Sequence, residues 1–250
     1  MAIRADAAKN HDELFPRQRS ELQKTDPELI EIFDNWAFGD VIADSPMDVR
    51  TRLLMQLGAI IACHATREYR VMLGAALEVG VTPVEIKEVV YQAVPYVGMA
   101  RVYDFLDITN QVLVERGVAL PLPPQSTTTV ETRLDKGMEA QRRLFGDGID
   151  RLYAELPKDQ LHIQRYLTAH CFGDHYTRAG LDLAKRELLT FSMLAALGGC
   201  EPQLAAHVVA NLAVGNDRKT LVATVSQLLP FIGYPRTLNA LKMINQGATQ

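Results

Sequence analysis

Apolar residues along the chain recur at the three- and four-residue spacing of amphipathic helices. One such segment runs from Pro27 to about Asp40 and carries Leu29, Ile30, Ile32, Phe33 and Trp36. A second helix is expected to open at Ser45-Pro46, with a buried stripe made of Leu53, Leu54, Leu57, Ile60 and Ile61. No stretch alternates apolar and polar residues for long enough to indicate a strand. The pattern predicts an all-α fold.

Turn and capping residues indicate where several of these helices begin and end. Residues Thr82 to Glu85 have the form of a capping box with proline at the first helical position, which predicts a helix start. This helix should end near Tyr91 or Ala93, because Pro95 restricts the residue before it. Two glycines stand where a left-handed residue would end the preceding helix, Gly80 and Gly215.

An internal repeat divides the chain into two similar parts. Val90, Gln92, Pro95 and Gly98 recur 135 residues later as Val225, Gln227, Pro230 and Gly233. Upstream, Phe38-Gly39-Asp40 recurs 134 residues later as Phe172-Gly173-Asp174. Between the copies, the proline and threonine content of GVALPLPPQSTTT is typical of an extended linker. We therefore predict an N-terminal extension (1–26), a first module (27–116), a linker (117–130) and a second module (131–250).

Composition narrows the class of protein. The chain has 250 residues, of which 48% are hydrophobic, and its 26 basic and 30 acidic side chains give a net charge of −4. This balance argues against intrinsic disorder and against sequence-independent binding of nucleic acid. Three cysteines make a disulfide framework improbable and favour a reducing compartment. With neither a signal-peptide pattern nor an apolar run long enough for a bilayer, we expect a cytoplasmic protein without a membrane partner.

The second module carries the polar residues that suggest chemistry. Pro202 should occupy the first turn of a helix, which places Cys200 at or just before its N-terminus. Unpaired amides and the helix dipole would there lower the pKa of the thiol and favour a thiolate. His207 lies on the same face two turns on, about 10.5 Å along the axis, so the two side chains should not touch. The helical neighbour of His207 at i−4 is Gln203, and Glu187 lies on the helix before them.

These residues resemble the AhpD-like alkylhydroperoxidases of the carboxymuconolactone decarboxylase superfamily, and the resemblance covers both modules, roughly 30–115 and 145–245. AhpD-like members carry a glutamate, a Cys-x-x-Cys pair and a histidine, which Glu187, Cys200 and His207 match in part. Gln203 stands where the second cysteine should be. A dithiol that cycles through a disulfide needs both sulfurs, so this difference argues against a disulfide-reductase role.

The decarboxylase branch of the same superfamily is marked by a segment of the form His-x-x-Gly-Asp-x-x-Thr-Arg-x-Gly-Leu. Residues His170 to Leu181 read HCFGDHYTRAGL and match all seven specified positions. This resemblance implies a carboxylated lactone as substrate, which needs a cation for its carboxylate and a proton donor for the carbon that loses carbon dioxide. Arg178 or Arg186 could hold the carboxylate, and His207 or His170 could move the proton.

The candidate site therefore has a catalytic set and a binding set. The catalytic set is His207, Cys200, Glu187 and His170, and the substrate-binding set is Arg178, Arg186, Asp174 and Gln203. Simpler interpretations stand beside these: Cys63 and Cys171 as small buried residues, His207 as a core histidine, and Asp174 with Arg178 as a structural ion pair. No ligand spacing supports a metal at His170, Asp174 and His175, so we expect neither a metal nor a cofactor.

The first module lacks this set. At the corresponding positions it has Arg52 for Glu187, Ala65 for Cys200, Met72 for His207, Trp36 for His170 and Ala43 for Arg178. We expect this module to be structural and to supply a partner surface or a pocket wall.

These residues suggest three hypotheses about function. The leading hypothesis is a cofactor-free decarboxylase, or an enzyme of related proton-transfer chemistry, acting on a small carboxylated lactone or oxo acid. The alternatives are a single-cysteine AhpD-like peroxidase that uses Cys200, and a catalytically silent oligomeric scaffold. Because single-module members of the superfamily form rings, the resemblance also implies a homo-oligomer, with a homotrimer favoured.

Overall fold

The computed structural model describes residues 2–16 and 20–247, and all the regular structure in these ranges is helical. The first half contains α1 (Ala5–Leu14), α2 (Leu22–Thr25), α3 (Pro27–Asp34), α4 (Val41–Asp44), α5 (Val49–Ala62), α6 (Thr66–Glu78), α7 (Pro83–Val97) and α8 (Met99–Glu115). The second half contains α9 (Arg133–Phe145), α10 (Gly148–Glu155), α11 (Leu161–Tyr166), α12 (Leu183–Leu197), α13 (Glu201–Ala213) and α14 (Arg218–Gly247). Two π-helical segments, π1 (Asn35–Asp40) and π2 (Leu167–His175), follow α3 and α11. The all-α prediction is confirmed.

The two halves repeat the same order of elements, as the duplicated sequence predicts. The two Phe-Gly-Asp copies lie in π1 and π2. Gly98, with φ of +82°, separates α7 from α8, and its counterpart Gly233, with φ of +76°, interrupts α14. Glycine tolerates this left-handed region without the steric penalty of a side chain. The long helix α14 therefore corresponds to α7 and α8 together, which confirms two tandem helical modules.

Two predicted helix boundaries are wrong. The second apolar helix begins at Val49 rather than at Ser45-Pro46, because the Asp48 carboxylate accepts the backbone N–H of Thr51 at 2.9 Å and caps it. Helix α7 runs past Pro95 to Val97. Its buried face continues to Val97, so packing outweighs the one backbone hydrogen bond that a proline removes.

Helices α5 and α12 form the centre of the molecule, where the two modules share one core. Eleven consecutive residues of each helix are buried, 52–62 in α5 and 186–196 in α12. Such all-round burial is typical of a helix enclosed by others, whereas a single apolar stripe was expected for α5. The two helices meet at Gly58, where an added Cβ atom would collide with the side chain of Leu189. The modules therefore fold against each other.

Each module also reaches across this centre with a glutamine from its repeat. In α7, the Gln92 side chain donates to the carbonyl oxygen of Arg186 at 2.8 Å. In α14, its counterpart Gln227 donates to the carbonyl oxygens of Val41 and Ser45 at 3.1 and 2.7 Å. The two glutamines are related by the duplication but their acceptors are not, since Gln92 bonds the central helix α12 and Gln227 bonds α4 and the residue after it. The central helix α5 is joined to α14 by Gln56, whose side chain donates to the carbonyl oxygen of Gln227 at 3.0 Å.

Helices α1 and α9 occupy matching places on the two π-helical segments. Phe15, which follows α1, packs its ring 6.2 Å from Phe38 in π1, and Phe145 at the end of α9 packs 5.9 Å from Phe172 in π2. The predicted N-terminal extension therefore contains a helix that covers the first module as α9 covers the second.

None of the helices in the described ranges has the combination of length and apolar character that crossing a bilayer requires.

Candidate active site

Glu187 and His207 form a buried acid–base pair where α12 packs against α13. The imidazole Nδ1 lies 2.7 Å from the carboxylate Oε2. Glu187 is fully buried, and the side chain of His207 is 10% exposed. Asn211 fixes both backbones, because its amide donates to the carbonyl oxygens of Glu187 and His207 at 3.1 and 2.7 Å. The structure thus brings together two of the four predicted catalytic residues in a fixed geometry.

The contact between His207 and Glu187 uses one nitrogen and one oxygen, so each side chain keeps a second atom that can bind another group. With Nδ1–H donating to Oε2 of Glu187, the Nε2 atom of His207 remains for proton transfer, as in other carboxylate–histidine pairs. The second carboxylate oxygen, Oε1 of Glu187, is buried without a hydrogen-bond partner. An unpaired buried acceptor is costly, so a donor that reaches Oε1 would be bound favourably.

Two aromatic rings from different parts of the chain enclose His207. Tyr96, from α7 of the first module, presents its ring edge-on with the centroids 6.3 Å apart. Phe145, from α9, lies edge-on to His207 at 5.7 Å. The pair is therefore walled by both modules and covered by α9.

Beside the pair lies a cluster of buried hydroxyl groups formed by Tyr96, Tyr176 and Thr190. The Thr190 hydroxyl lies 2.6 Å from that of Tyr176 and 3.0 Å from that of Tyr96, and the two tyrosine hydroxyls are 3.1 Å apart. Burial, together with the nearby negative charge of Glu187, holds the pKa of both tyrosines well above its usual range. Both tyrosines therefore stay protonated and can donate hydrogen bonds.

Cys171 borders this hydroxyl cluster as a thiol. Its Sγ donates to the Tyr96 hydroxyl at 3.7 Å, and burial raises the pKa of the thiol to about 12. Cys171 is thus buried, as predicted, and remains protonated at neutral pH.

The two arginines predicted to hold a substrate carboxylate hold a carboxylate of the protein instead. Arg178 donates to both carboxylate oxygens of Glu88 in α7, from Nε to Oε1 and Oε2 and from Nη2 to Oε1, at 2.9–3.0 Å. Arg186 donates from Nη2 to Oε2 at 2.9 Å. Arg186 and Glu88 are almost completely buried. Glu88 is thus the counter-charge of both arginines, which join the modules, and the described contacts include no hydrogen bond from either arginine to Glu187 or His207.

A chain of hydrogen bonds links this ionic cluster to the hydroxyl cluster. Arg186 donates from Nη1 to the Gln92 side chain at 2.9 Å, and Gln92 donates to the Thr190 hydroxyl at 3.0 Å. The groups around the pair are therefore held by one continuous network that crosses between the modules.

His170 and Asp174 lie on the surface in π2, where the structure shows no contact between them and the acid–base pair. The side chain of His170 is 52% exposed and its Nδ1 lies 3.5 Å from Asp174. Asp174 forms an ion pair with Arg133 at 3.1 Å, so the suggested pairing with Arg178 is wrong. Across the described ranges, no group of three or more histidine, cysteine, aspartate or glutamate side chains is placed to hold a metal ion.

Cys200 is the N-cap residue of α13, as predicted, but its thiol is not activated. The Cys200 side chain makes no hydrogen bond to the amides of α13. Sγ instead points back towards α12 and donates to the carbonyl oxygen of Leu194 at 3.4 Å. Burial, with a smaller effect of Glu201, raises the pKa of this thiol. The predicted lowering is wrong because the thiol faces a carbonyl oxygen rather than free N–H groups. Gln203 is exposed on α13.

Sequence reasoning missed the first-module residues Glu88 and Tyr96 around the site, and Tyr176 of the second module. One signal could have found them, namely positions where one copy of the repeat is polar and the other is apolar. Such positions include Glu88 opposite Ala223, Tyr96 opposite Phe231 and Tyr176 opposite Ile42.

Comparison with known proteins gives two findings. The sequence model described as "Carboxymuconolactone decarboxylase family" matches the chain twice, at residues 27–111 and 162–246. A relative from Paracoccus denitrificans, "Uncharacterized 15.0 kDa protein in nqo9-nqo10 intergenic region", is 31% identical over 96 residues. This alignment covers 38% of the chain and 66% of the relative, just under two thirds of its length. The second family match contains Glu187 and His207, and the first contains Tyr96 and Glu88.

Proposed function

The chain belongs to the carboxymuconolactone decarboxylase family, and from this premise we propose that it is a proton-transfer enzyme whose acid–base group is the Glu187–His207 pair. The proposed reaction is the cofactor-free decarboxylation of a small carboxylated lactone or oxo acid. The observation that carries the proposal is the 2.7 Å contact between Nδ1 of His207 and Glu187, which leaves Nε2 free in a buried setting.

In the proposed step, the bond between the substrate carbon and its carboxylate breaks and carbon dioxide leaves. The electron pair stays on the carbon and is delocalised as an enolate into a carbonyl group that is bonded to this carbon or conjugated with it. A lactone or oxo acid with the carboxylate in such a position requires no added electron sink. His207, which in this step carries a proton on both ring nitrogens, gives the Nε2 proton to this carbon and takes up one proton from the solvent, so the reaction consumes one proton and releases carbon dioxide. Glu187 orients the imidazole and stabilises its positive form.

The surroundings of the pair suit a developing negative charge. The protonated hydroxyls of Tyr96 and Tyr176 are held in place by their hydrogen bonds to each other and to Thr190. In the proposed step, one of them turns its proton from this neighbour to the enolate oxygen, which a positioned donor stabilises. We assign orientation of the substrate carbonyl to these hydroxyls, because the described contacts of Arg178 and Arg186 include no hydrogen bond to Glu187 or His207.

A panel of carboxylated lactones and oxo acids, with release of carbon dioxide as the readout, tests the proposal. We expect His207→Gln to lower kcat by about 10²–10⁴-fold, the usual contribution of a general acid or base. His170→Gln is the matched control, since this exposed histidine should leave kcat unchanged. Absence of turnover by the wild-type protein across the panel would rule the proposal out.

The same assay separates the proposal from a peroxidase that uses Cys200. The raised pKa of this thiol and its bond to Leu194 do not favour a nucleophilic thiolate. Cys200→Ser should therefore keep decarboxylase activity, whereas a peroxidase would lose peroxide turnover completely. A protein active in neither assay would support the scaffold hypothesis.

We also propose that the protein assembles into a homotrimer. Two sets of exposed apolar residues occupy positions related by the repeat. The first set contains Leu29, Ile32, Tyr234 and Leu238, and the second contains Ile163, Tyr166, Met99 and Tyr103. Contact between the first set on one copy and the second set on the next would be a head-to-tail contact, which forms a ring when the rotation between copies closes. Three copies would then bring together six modules. Light scattering should show three copies, and a monomer at micromolar concentration would contradict the assembly.

A further inference from the structure

A cavity of about 370 Å³ lies between α7, α8 and the linker. Lys87, Glu88 and Tyr91 of α7, Asn110 of α8 and Arg178 form its polar wall, and residues 120–125 of the linker form the opposite side. Glu187 and His207 are not among its lining residues. The volume falls at the lower end of the range for small-molecule sites.

The polar wall of this cavity carries more positive than negative charge. Glu88 is shared between Arg178 and Arg186, so one carboxylate faces two guanidinium groups. Lys87 adds a third cation, is only 8% exposed, and donates from Nζ to the neutral Asn110 side chain. Within the described ranges, the structure gives Lys87 no carboxylate within ion-pair distance. A buried cation without a counter-charge is unfavourable, so an anion at Nζ would be stabilising.

Tyr91 and the linker give the cavity an apolar part next to this charge. The Tyr91 ring centroid lies 5.0 Å from the Arg178 guanidinium carbon and 5.8 Å from Nζ of Lys87. Across the cavity the linker contributes Leu120, Pro121, Leu122, Pro123 and Pro124. An anion with a small apolar body would fit this combination better than an inorganic anion, since phosphate cannot bury apolar surface.

The linker is fastened in place on this side. The backbone N–H of Ala179 donates to the Gln125 carbonyl oxygen at 3.0 Å, and the Thr127 hydroxyl donates to the Thr177 carbonyl oxygen at 2.7 Å. Proline-rich segments are stiff, so the wall that they form is ordered before a ligand arrives. A preformed wall lowers the entropic cost of binding.

We propose that this cavity binds a small organic carboxylate, with its carboxylate group at Nζ of Lys87 and Nη1 of Arg178 and its apolar body between Tyr91 and the linker prolines. Nη1 is the guanidinium nitrogen that Glu88 does not engage in the described contacts. The site is separate from the acid–base pair and does not depend on the proposed decarboxylation.

Calorimetric titration with benzoate tests the site, because this probe joins one carboxylate to a planar apolar ring. Benzoate should bind, and benzamide, which has the same shape without the charge, should bind far more weakly. Lys87→Met should weaken benzoate binding about tenfold or more, as expected for loss of a charge-assisted hydrogen bond. Lys185→Met is the matched control, because this exposed lysine pairs with Asp182 outside the cavity and its loss should change nothing.

Two further variants keep the proposal falsifiable if Lys87→Met does not fold. Leu122→Glu places a carboxylate on the linker wall and should weaken benzoate binding by repulsion. His207→Gln should leave benzoate binding intact, even if it abolishes catalysis. Equal binding of benzoate and benzamide, or unchanged binding after Leu122→Glu, would overturn the proposal. Loss of binding in His207→Gln would place the ligand at the acid–base pair and overturn it as well.

Discussion

Replacing Glu88 by glutamine should be among the most destabilising single changes in this protein. The Glu88 carboxylate is 1% exposed and accepts four hydrogen bonds from Arg178 and Arg186 at 2.9–3.0 Å. Glutamine has nearly the same shape but lacks the charge. Its amide NH₂ group would face the N–H donors of the arginines, where the carboxylate had an acceptor oxygen. The variant leaves a fully buried guanidinium group without its counter-charge.

The size of the effect follows from that burial. Removing one partner of a buried ion pair costs about 3–5 kcal/mol, and we expect the lower end because one acceptor oxygen remains. For a chain of this length, about 3 kcal/mol lowers the melting temperature by roughly 6–12 °C. The lost stability should come from weaker contact between the two modules, since Glu88 lies in α7 of the first module and both arginines belong to the second.

Thermal unfolding followed by circular dichroism at 222 nm measures the loss. Glu115→Gln is the matched control, because Glu115 pairs with Arg70 at 2.7 Å on the surface, where such pairs contribute at most about 1 kcal/mol. In a double-mutant cycle, Arg186→Met should recover part of the stability lost in Glu88→Gln. If Glu88→Gln and Glu115→Gln melt together, or the cycle shows no coupling, the cluster does not hold the modules together.

Three further changes test other parts of the structure. Burial, with nearby His170 and Arg178, lowers the pKa of His175 to about 4, so the unfolded state alone binds this proton between pH 6.5 and 4. The free energy of unfolding should therefore fall by about 3 kcal/mol as the pH drops through that window, and His175→Gln should flatten this slope in urea titrations. Iodoacetamide should alkylate Cys200 more slowly than free cysteine at pH 7, since its pKa is raised; rapid labelling would revive the peroxidase hypothesis. Gly137→Ala should cost about 1–3 kcal/mol, because its Cβ atom would collide with the backbone of Thr168, whereas Gly148→Ala, with open space around it, should be neutral in the same urea assay.

The features of the fold that depend on local residues were predictable from the sequence. The capping box at Thr82 and Glu85 forms as expected, and Gly80 and Gly215 have the expected positive φ of +83° and +94°. The repeat predicted two modules of the same architecture. The extent of burial was not predictable, because the all-round burial of α5 arises only when α12 of the other module covers it.

The candidate site was predictable only in part, because part of it depends on contacts between elements that are distant in sequence. Glu187 and His207 could be selected because family resemblance and helical spacing place them on adjacent helices. The direction of a side chain at a helix end is a tertiary property, and this is why Cys200 turns towards Leu194 instead of the amides of α13. The partner of Arg178 was also hidden, since Glu88 lies ninety residues away and belongs to the other module.

The first module keeps the arrangement of the helices but has different side chains at the positions of the acid–base pair. Arg52 and Met72, which replace the acid–base pair, line the same small space, so the arrangement of the helices is retained. Arginine remains protonated and a thioether cannot carry a proton, so this pair cannot exchange one with a substrate. Leu14 and Phe231 lie there too, and Phe231 stands where the second site has Tyr96. The first module thus lacks both the hydroxyl cluster and the acid–base pair. The first module serves the second site through the face of α7 that carries Glu88, Gln92 and Tyr96. The reciprocal face of α14 has Ala223 and Phe231 in place of Glu88 and Tyr96, and it retains only the glutamine, Gln227.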